Sequence, residues 1–413
     1  MTWVVCGFWA ASLLVLYTYA GYPLWLGIRS RLFARPWQQQ EIYPSISIVL
    51  AVHNGGELLT EKIHYLLTLD YPASQTEVIV VSDGSCDHTN EILLSTRHPR
   101  LRAFTLPQHL GKAVALNTGM RHSRGKILVF NDIRPNLEPM ALRFLISNFA
   151  DPRVGCVTGQ LLPRPDGQSA SNAGVGGLYW RYEQRLRAWE AAVDSLLGVC
   201  GGFYAIRREL AVELPAGTVL DDMYQPLSVV RQGYRSVFDA RARAWDVGSK
   251  TLQGEFARKV RTLAGNLQLL QLAPWLLRSE NRLRFQLVSH KLLRLTVPLL
   301  LMVCLVTCIQ LRHSPLYLEC LRLQIIFYSL AMLGFAVDVP GLKRITGGAS
   351  AFCLLNAAAI VGIWKFLFVR GPLWRIWVPT ELQARPGATS VSGKPSFDEA
   401  NRSANSERLS AAE

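Results

Sequence analysis

Four stretches of this 413-residue chain carry side chains that could do chemistry together. Asp83 closes VIVVSD, Lys112 opens KAVALN after a glycine, Asp132 follows VFN, and Asp221 and Asp222 stand side by side in TVLDDM. A carboxylate can accept hydrogen bonds from a base or a ribose, and Asp83 suits the nucleoside end of a ligand. A lysine is a point charge for phosphate, and Lys112 suits the phosphate or the nucleoside. Asp132 suits Mg²⁺ or Mn²⁺, which prefer oxygen ligands and bridge phosphates. Asp221-Asp222 offers a general base for an acceptor hydroxyl, and displacement assisted by one base inverts the reacting carbon. Taken singly, an Asp at a strand end reads as a turn former and Asp-Asp as a helix N-cap. The set suits a ligand with a base, a ribose and two phosphates.

The elements that must position these residues are legible from periodicity. Apolar, β-branched runs at 45–52, 77–81, 101–106 and 126–130 read as buried strands, and helical spacing falls at 56–69, 89–96 and 112–121. This alternation predicts a mostly parallel sheet covered by helices. In such sheets ligands bind beyond the carboxyl ends of the strands. Asn54, Asp83 and Asp132 fall at three of those ends.

Half the residues are hydrophobic and 18% are charged, which directs attention to membrane spans. Residues 2–28 carry no charge and are followed by Arg29, Arg31 and Arg35. That length spans a bilayer, and basic residues after the span place the succeeding domain in the cytoplasm. Three further spans are expected at 292–311, 321–337 and 348–368. Arg294 and Lys365 fall inside them and are expected to snorkel. Residues 265–277, broken by Pro274, read equally as an interfacial segment or a core helix. The domain reading is an anchor at 1–28, a cytoplasmic domain at 29–290, three spans at 291–369, and an interfacial segment with a disordered tail at 370–413. Arg370 and Arg375 favour an inside tail, whereas counting spans places it outside.

The net charge of +14 clusters near the apolar spans, and no nucleic-acid motif accompanies it. Juxtamembrane charge and a phosphate-rich substrate account for the excess, so nucleic acid is excluded as a partner and membrane lipids are included. Eight cysteines show neither CxxC nor zinc spacing, so reduced, mostly buried thiols are expected. Tyr179, Trp180, Tyr182 and Trp189 read as core or membrane contacts rather than a sugar platform.

The stretches PSISIVLAVHNGGE, VIVVSDGSCDHT, GKAVALNTGM and GGFYAIRREL with TVLDDMYQPLSVVRQGYRSVFD resemble, in order and spacing, the family 2 glycosyltransferases. The membrane-integrated branch with cellulose, hyaluronan and poly-N-acetylglucosamine synthases is the most similar. The resemblance covers about residues 44–268. It implies an α/β GT-A fold, Rossmann-like with a mostly parallel sheet, between N-terminal and C-terminal transmembrane helices. It also implies an inverting, metal-assisted hexosyl transfer from a nucleotide-diphosphate sugar to a saccharide or lipid-linked saccharide acceptor, in glycan synthesis at the bacterial inner membrane. Asp222 would be the base and Asp221 its support; Asn54, Glu57, Asp83 and Lys112 would bind donor, and Asp132 the Mg²⁺ or Mn²⁺.

Two departures stand out. The family's Asp-x-Asp is Asp132-Ile133-Arg134 here, so one carboxylate is missing and Arg134 could meet phosphate instead. The family's Gln-x-x-Arg-Trp aligns with Arg258 to Thr262. Arg258 and Arg261 remain as donor-binding candidates, but the stacking tryptophan is absent, and Trp180 or Tyr204 would have to replace it. Other subunits of a synthesis and export complex are possible partners. The alternative is a non-catalytic nucleotide-sugar-binding or scaffolding subunit.

Overall fold

The computed structural model describes residues 2–163, 173–246, 252–337, 340–369, 371 and 373, and the side chains of 173–180, 252 and 340–345 are not among them. The interfacial segment and tail expected from 370 onward lie outside the described residues, apart from Gly371 and Leu373.

Helix α1 (Thr2–Leu32) is the first of four helices among the described residues that are long and apolar enough to cross a membrane. Then come β1 (Ile46–Val52), α2 (Gly56–Leu67), β2 (Thr76–Asp83), α3 (Thr89–Ser95), β3 (Leu101–Leu106), α4 (Lys112–His122) and β4 (Ile127–Asn131). The second half holds β5 (Asn136–Leu137), α5 (Ala141–Ser147), β6 (Val154–Pro163), α6 (Ala173–Val193), β7 (Phe203–Arg207), α7 (Asp221–Arg231), β8 (Arg235–Asp246) and α8 (Leu252–Leu272). The remaining apolar helices are α9 (Arg284–Gln310), α10 (Pro315–Ala336) and α11 (Pro340–Phe368).

All strands join one sheet in the order β3-β2-β1-β4-β7-β6-β8-β5. The first four are parallel, with Ile46 opposite both Thr76 and Ile127. A βαβ crossover needs strands buried on both faces, and Ile46–Leu50 and Val78–Asp83 supply continuous buried runs. Strand β7 enters antiparallel between β4 and β6, and β6 pairs parallel with β8. The sheet is therefore mixed: parallel where the sequence pattern alternates strand and helix, antiparallel at β7 and β5. Ile48, Leu50, Val80, Val129 and Leu145 are among the fully enclosed side chains of its main core.

The apolar helices are tied to the domain. Helix α6 packs Leu186 and Val193 on Tyr22 and Leu26 of α1, with Tyr182 and Trp189 at the margin. Arg294 of α9 does not snorkel: it is paired with Glu183 of α6 and only 14% exposed. Beside it, His290 Nδ1 meets Glu190 Oε1 at 2.6 Å. A carboxylate on a neighbouring helix gives the charge within this apolar helix a close partner. The segment from 265 is the end of α8, followed by a 3₁₀ turn at Pro274–Leu277. It packs against both α7 and α11: a Cβ on Gly265 would sit 2.8 Å from Leu220 Cγ, and one on Gly362 of α11 3.2 Å from Ala264 N.

Candidate active site

Each acidic residue is delivered by a strand end or a helix start. Strand β2 ends on Asp83, which is 3% exposed. Its Oδ1 accepts from Leu110 N at 2.8 Å, and its Oδ2 from Gly111 N at 2.9 Å, with His109 Nδ1 at 2.8 Å. The carboxylate thus binds the loop that introduces Lys112. The approach is close: a Cβ on the next residue, Gly84, with φ +59°, would lie 2.2 Å from the Gln108–His109 peptide. Only glycine fits such a left-handed, backbone-to-backbone contact.

Asn54, at the end of β1, also has a left-handed backbone, with φ +52°, which asparagine tolerates better than most residues. Its Oδ1 accepts from Cys86 N at 2.9 Å, and its own N donates to Ser85 Oγ at 3.1 Å. Asn54 therefore fastens the turn after β1 to the turn after β2. Glu57 is exposed in the first turn of α2.

Lys112 is the first residue of α4. Its Nζ stands 3.1 Å from Asp132 Oδ1 and 3.4 Å from Asp221 Oδ2. Burial opposes its charge, but Asp132 and Asp221 outweigh burial and hold the ammonium above the usual lysine range. One cation therefore joins the end of β4 to the start of α7.

Asp221 is 6% exposed. Asp222 follows it, and its Oδ1 is buried without a hydrogen-bond partner. Burial, then repulsion by Asp221, pushes the Asp222 carboxyl up to about 6, against the pull of Lys112, Arg187 and Arg261. The loop before β7 separates the two acidic sites. A Cβ on Gly201 would lie 3.5 Å from Asp222 Oδ2, and one on Gly202 3.7 Å from Asp132 Oδ2. Glycines there leave the space between the carboxylates open.

Arg261, on α8, is driven towards its neutral form by burial, opposed by Asp222, Asp221 and Asp132. Arg258, one turn earlier, donates from Nη2 to Glu255 Oε2 at 2.5 Å. Tyr204 is fully buried and stacks on Phe130 with centroids 4.6 Å apart. It lies beneath the acids and cannot serve as an exposed sugar platform. The side chain of Trp180 lies outside the described residues.

The structure thus brings Lys112, Asp132, Asp221, Asp222 and Arg261 together and joins Asp83 to them through Gly111. Sequence reasoning missed Gln268 and the pairing of His53 with His109. Gln268 clamps the acidic turn: Val219 N donates to its Oε1 at 3.0 Å, and its Nε2 donates to Gly217 O at 2.9 Å. A glutamine recurring among leucines in GNLQLLQL was the available signal. His53 and His109 stack with centroids 3.7 Å apart beside Asp83; two separate histidines without metal spacing gave no sign of this.

No cluster of three His, Cys, Asp or Glu side chains suited to a metal occurs among the described residues. An ion that arrives with a diphosphate needs only one or two protein carboxylates, the rest being phosphate and water. Asp132, 43% exposed, meets that need, so the residues fit such an ion.

Residues 47–214 match the model of the glycosyl transferase family 2. The poly-beta-1,6-N-acetyl-D-glucosamine synthases of Staphylococcus aureus strain COL and Staphylococcus epidermidis are similar over 252 and 248 residues. Each is 25% identical and aligns with 59% of this chain, and with 60% and 58% of the relatives. The chain thus spans about three-fifths of the length of the curated relatives it matches. Among solved structures, the mannosyltransferase PcManGT from Pyrobaculum calidifontis, in complex with GDP-Man and Mn²⁺, is similar with a TM-score of 0.67. That likeness covers 87% of this chain and 99% of the other at 22% identity, and it identifies the fold as GT-A.

Proposed function

We propose that this chain, whose residues 47–214 form a glycosyl transferase family 2 domain, transfers a hexosyl unit from a nucleotide-diphosphate sugar to an acceptor hydroxyl at a membrane, with inversion. The observation that carries this reading is the Lys112 bridge from Asp132 to Asp221, set against a partly buried Asp222 carboxyl raised to about 6. A group tuned towards neutral pH and enclosed beside cations is what a general base requires.

Asp222 removes the proton from the acceptor hydroxyl as its oxygen bonds to the anomeric carbon. The bond from that carbon to the diphosphate breaks on the opposite side, and nucleoside diphosphate leaves. Lys112 and Arg261 place positive charge where the departing diphosphate gathers negative charge. Mg²⁺ or Mn²⁺, when bound, adds Lewis-acid stabilisation of that leaving group, and Asp132 is the residue that would hold it. Asp221 fixes Lys112 and sustains the raised Asp222 carboxyl. Asp83 and Asn54 hold the loops that form the nucleoside end, and Arg258 lies one helical turn from Arg261.

The basic residues flanking α1 and α9 support a domain on the cytoplasmic side of a membrane, and the similarity to bacterial synthases supports a bacterial inner membrane as the setting. The acceptor is a saccharide or lipid-linked saccharide in exopolysaccharide or other surface-glycan synthesis, with other synthesis and export subunits as partners. A screen of nucleotide sugars against the purified chain in lipid vesicles tests the function. One donor should release nucleoside diphosphate in step with labelled product, and EDTA should slow release at least about tenfold. Donor binding without release from any sugar would establish the non-catalytic reading instead.

The base gives a pH signature. Asp222 acts only when deprotonated, so kcat/KM should fall about tenfold per pH unit below about 6. Asp221→Asn removes a charge that raises Asp222, so its residual activity should show that acid limb at lower pH. A limb that stays in place would remove Asp222 from the role of base.

A further inference from the structure

A second cationic site lies at the other end of the strands. The parallel strands β1, β2 and β4 end at Val52, Asp83 and Asn131, beside the catalytic residues, whereas β6 and β8 begin at Val154 and Arg235. Strand β7 runs antiparallel to both β4 and β6, so β6 and β8 share the direction of β1–β4, and their starts face away from the acids. At those starts is a cavity of about 620 Å³ whose lining includes Arg35, Arg153, Arg235, Arg282 and Asp194.

The charges there do not balance. Asp194 is shared by Arg282 Nε at 3.1 Å and, loosely, Arg35 Nη1 at 3.6 Å. Arg153 pairs with Asp151 at 2.7 Å. Arg235, 8% exposed, has no carboxylate within ion-pair distance among the described residues. It donates to the carbonyls of Asp194, Arg35 and Ala191 at 2.7–2.9 Å. Four guanidinium groups thus surround two carboxylates. The Arg35 and Arg153 side chains are 65% and 63% exposed; Arg153 gives Nε and Nη2 to Asp151 at 3.0 and 2.7 Å, so an anion would meet Arg35 and the Nη1 side of Arg153. Burial presses the Arg235 charge towards neutrality, a penalty that a bound anion would relieve.

The cavity is also placed at the end of two apolar helices. Arg35 lies three residues beyond Leu32, where α1 ends, and Arg282 two residues before Arg284, where α9 begins. Trp25 and Phe285 meet edge-to-face at 4.8 Å, with Arg29 over the Trp25 ring at 5.2 Å. Aromatic and basic residues together at helix ends mark the headgroup level of a bilayer.

We propose that this cavity binds the phosphate of an anionic phospholipid headgroup from the leaflet that α1 and α9 enter. The inference rests on the reading of those helices as membrane spans. Guanidinium groups pair with phosphate through two N–H donors at once, and the volume is far greater than a simple inorganic anion needs. The site is separate from the donor's diphosphate, because it opens at the opposite strand ends from Lys112.

The test is a titration of the purified full chain, in neutral detergent, with dihexanoyl phosphatidylglycerol, dihexanoyl phosphatidylcholine or inorganic phosphate, counted by native mass spectrometry. Phosphatidylglycerol should fill one saturable site, and the choline lipid should not compete. Arg35→Gln with Arg153→Gln should weaken binding about thirtyfold, and Arg35→Gln alone about fivefold. Equal binding of the choline lipid, displacement by inorganic phosphate at similar concentration, or an undiminished affinity in both variants would each overturn the proposal. Alkaline carbonate extraction checks the span reading separately. A chain released by carbonate removes the spans whatever it binds; one that stays in the membrane yet binds no anionic lipid removes the site alone.

Discussion

Asp222→Asn should abolish transfer while the donor still binds. Removal of a general base costs about 10²- to 10⁴-fold, and the low-dielectric surroundings of Asp222 place the expected loss in kcat at about 10³-fold. Donor affinity should stay within about threefold, since the amide keeps the shape and Lys112 keeps Asp132 and Asp221. A second readout separates this from damage to the fold. The folded state holds the Asp222 proton more tightly than the unfolded chain does, because its carboxyl lies at about 6 rather than 3.8. The proton lost as pH rises through that interval is a loss of stability, and it persists above about 6. Asparagine carries no such penalty, so the variant should melt higher than the parent at pH 7.5 and the difference should shrink by pH 4.5. Single-turnover transfer with labelled donor and thermal melts at both pH values are the measurements. Transfer within about tenfold of the parent would place the base elsewhere.

Lys112→Met should have the next largest effect, and by a different route. It leaves Asp132, Asp221 and Asp222 facing one another and removes a positive charge from the expected path of the diphosphate. We expect kcat/KM to fall about 10²- to 10³-fold, mostly through a raised KM for donor. Lys112 also holds the Asp222 carboxyl down, so the acid limb of the remaining activity should move to higher pH, opposite to its movement in Asp221→Asn. Lys112→Arg should restore part of the affinity, because the charge returns with different geometry. A pH–rate profile in the three variants decides the matter: an unmoved limb in Lys112→Met would mean that the bridge does not reach the base.

The parts of this site that the sequence announces are those set by local rules. Strands β1, β2 and β4 are apolar, β-branched runs stopped by Asn, Asp or Gly, so their ends, and the polar residues on them, could be placed to within one or two residues. Pairing was less legible. The insertion of β7 between β4 and β6 depends on contacts more than 40 residues apart, and no periodicity encodes which strand lies beside which. The same holds for side chains acting across elements. Asp83 reads as a ligand for a nucleoside, yet three of its contacts go to His109, Leu110 and Gly111. Arg294 reads as a lone charge among leucines until α6 brings Glu183 against it. Gln268 carries two hydrogen bonds to the acidic turn from a helix that looks merely apolar.

The glycine contacts of α8 have a mechanical consequence. At Ala264 and Gly265 the helix has almost no side-chain thickness, so the backbone of α11 near Gly362 approaches one of these consecutive residues and the Leu220 side chain the other. One turn of α8 lies between the last apolar helix and the residue before Asp221. If α11 spans a bilayer, a change in its tilt with bilayer thickness should displace the acidic pair. Transfer by the chain in vesicles of graded acyl-chain length should then vary with that length, and a rate independent of it would remove this coupling.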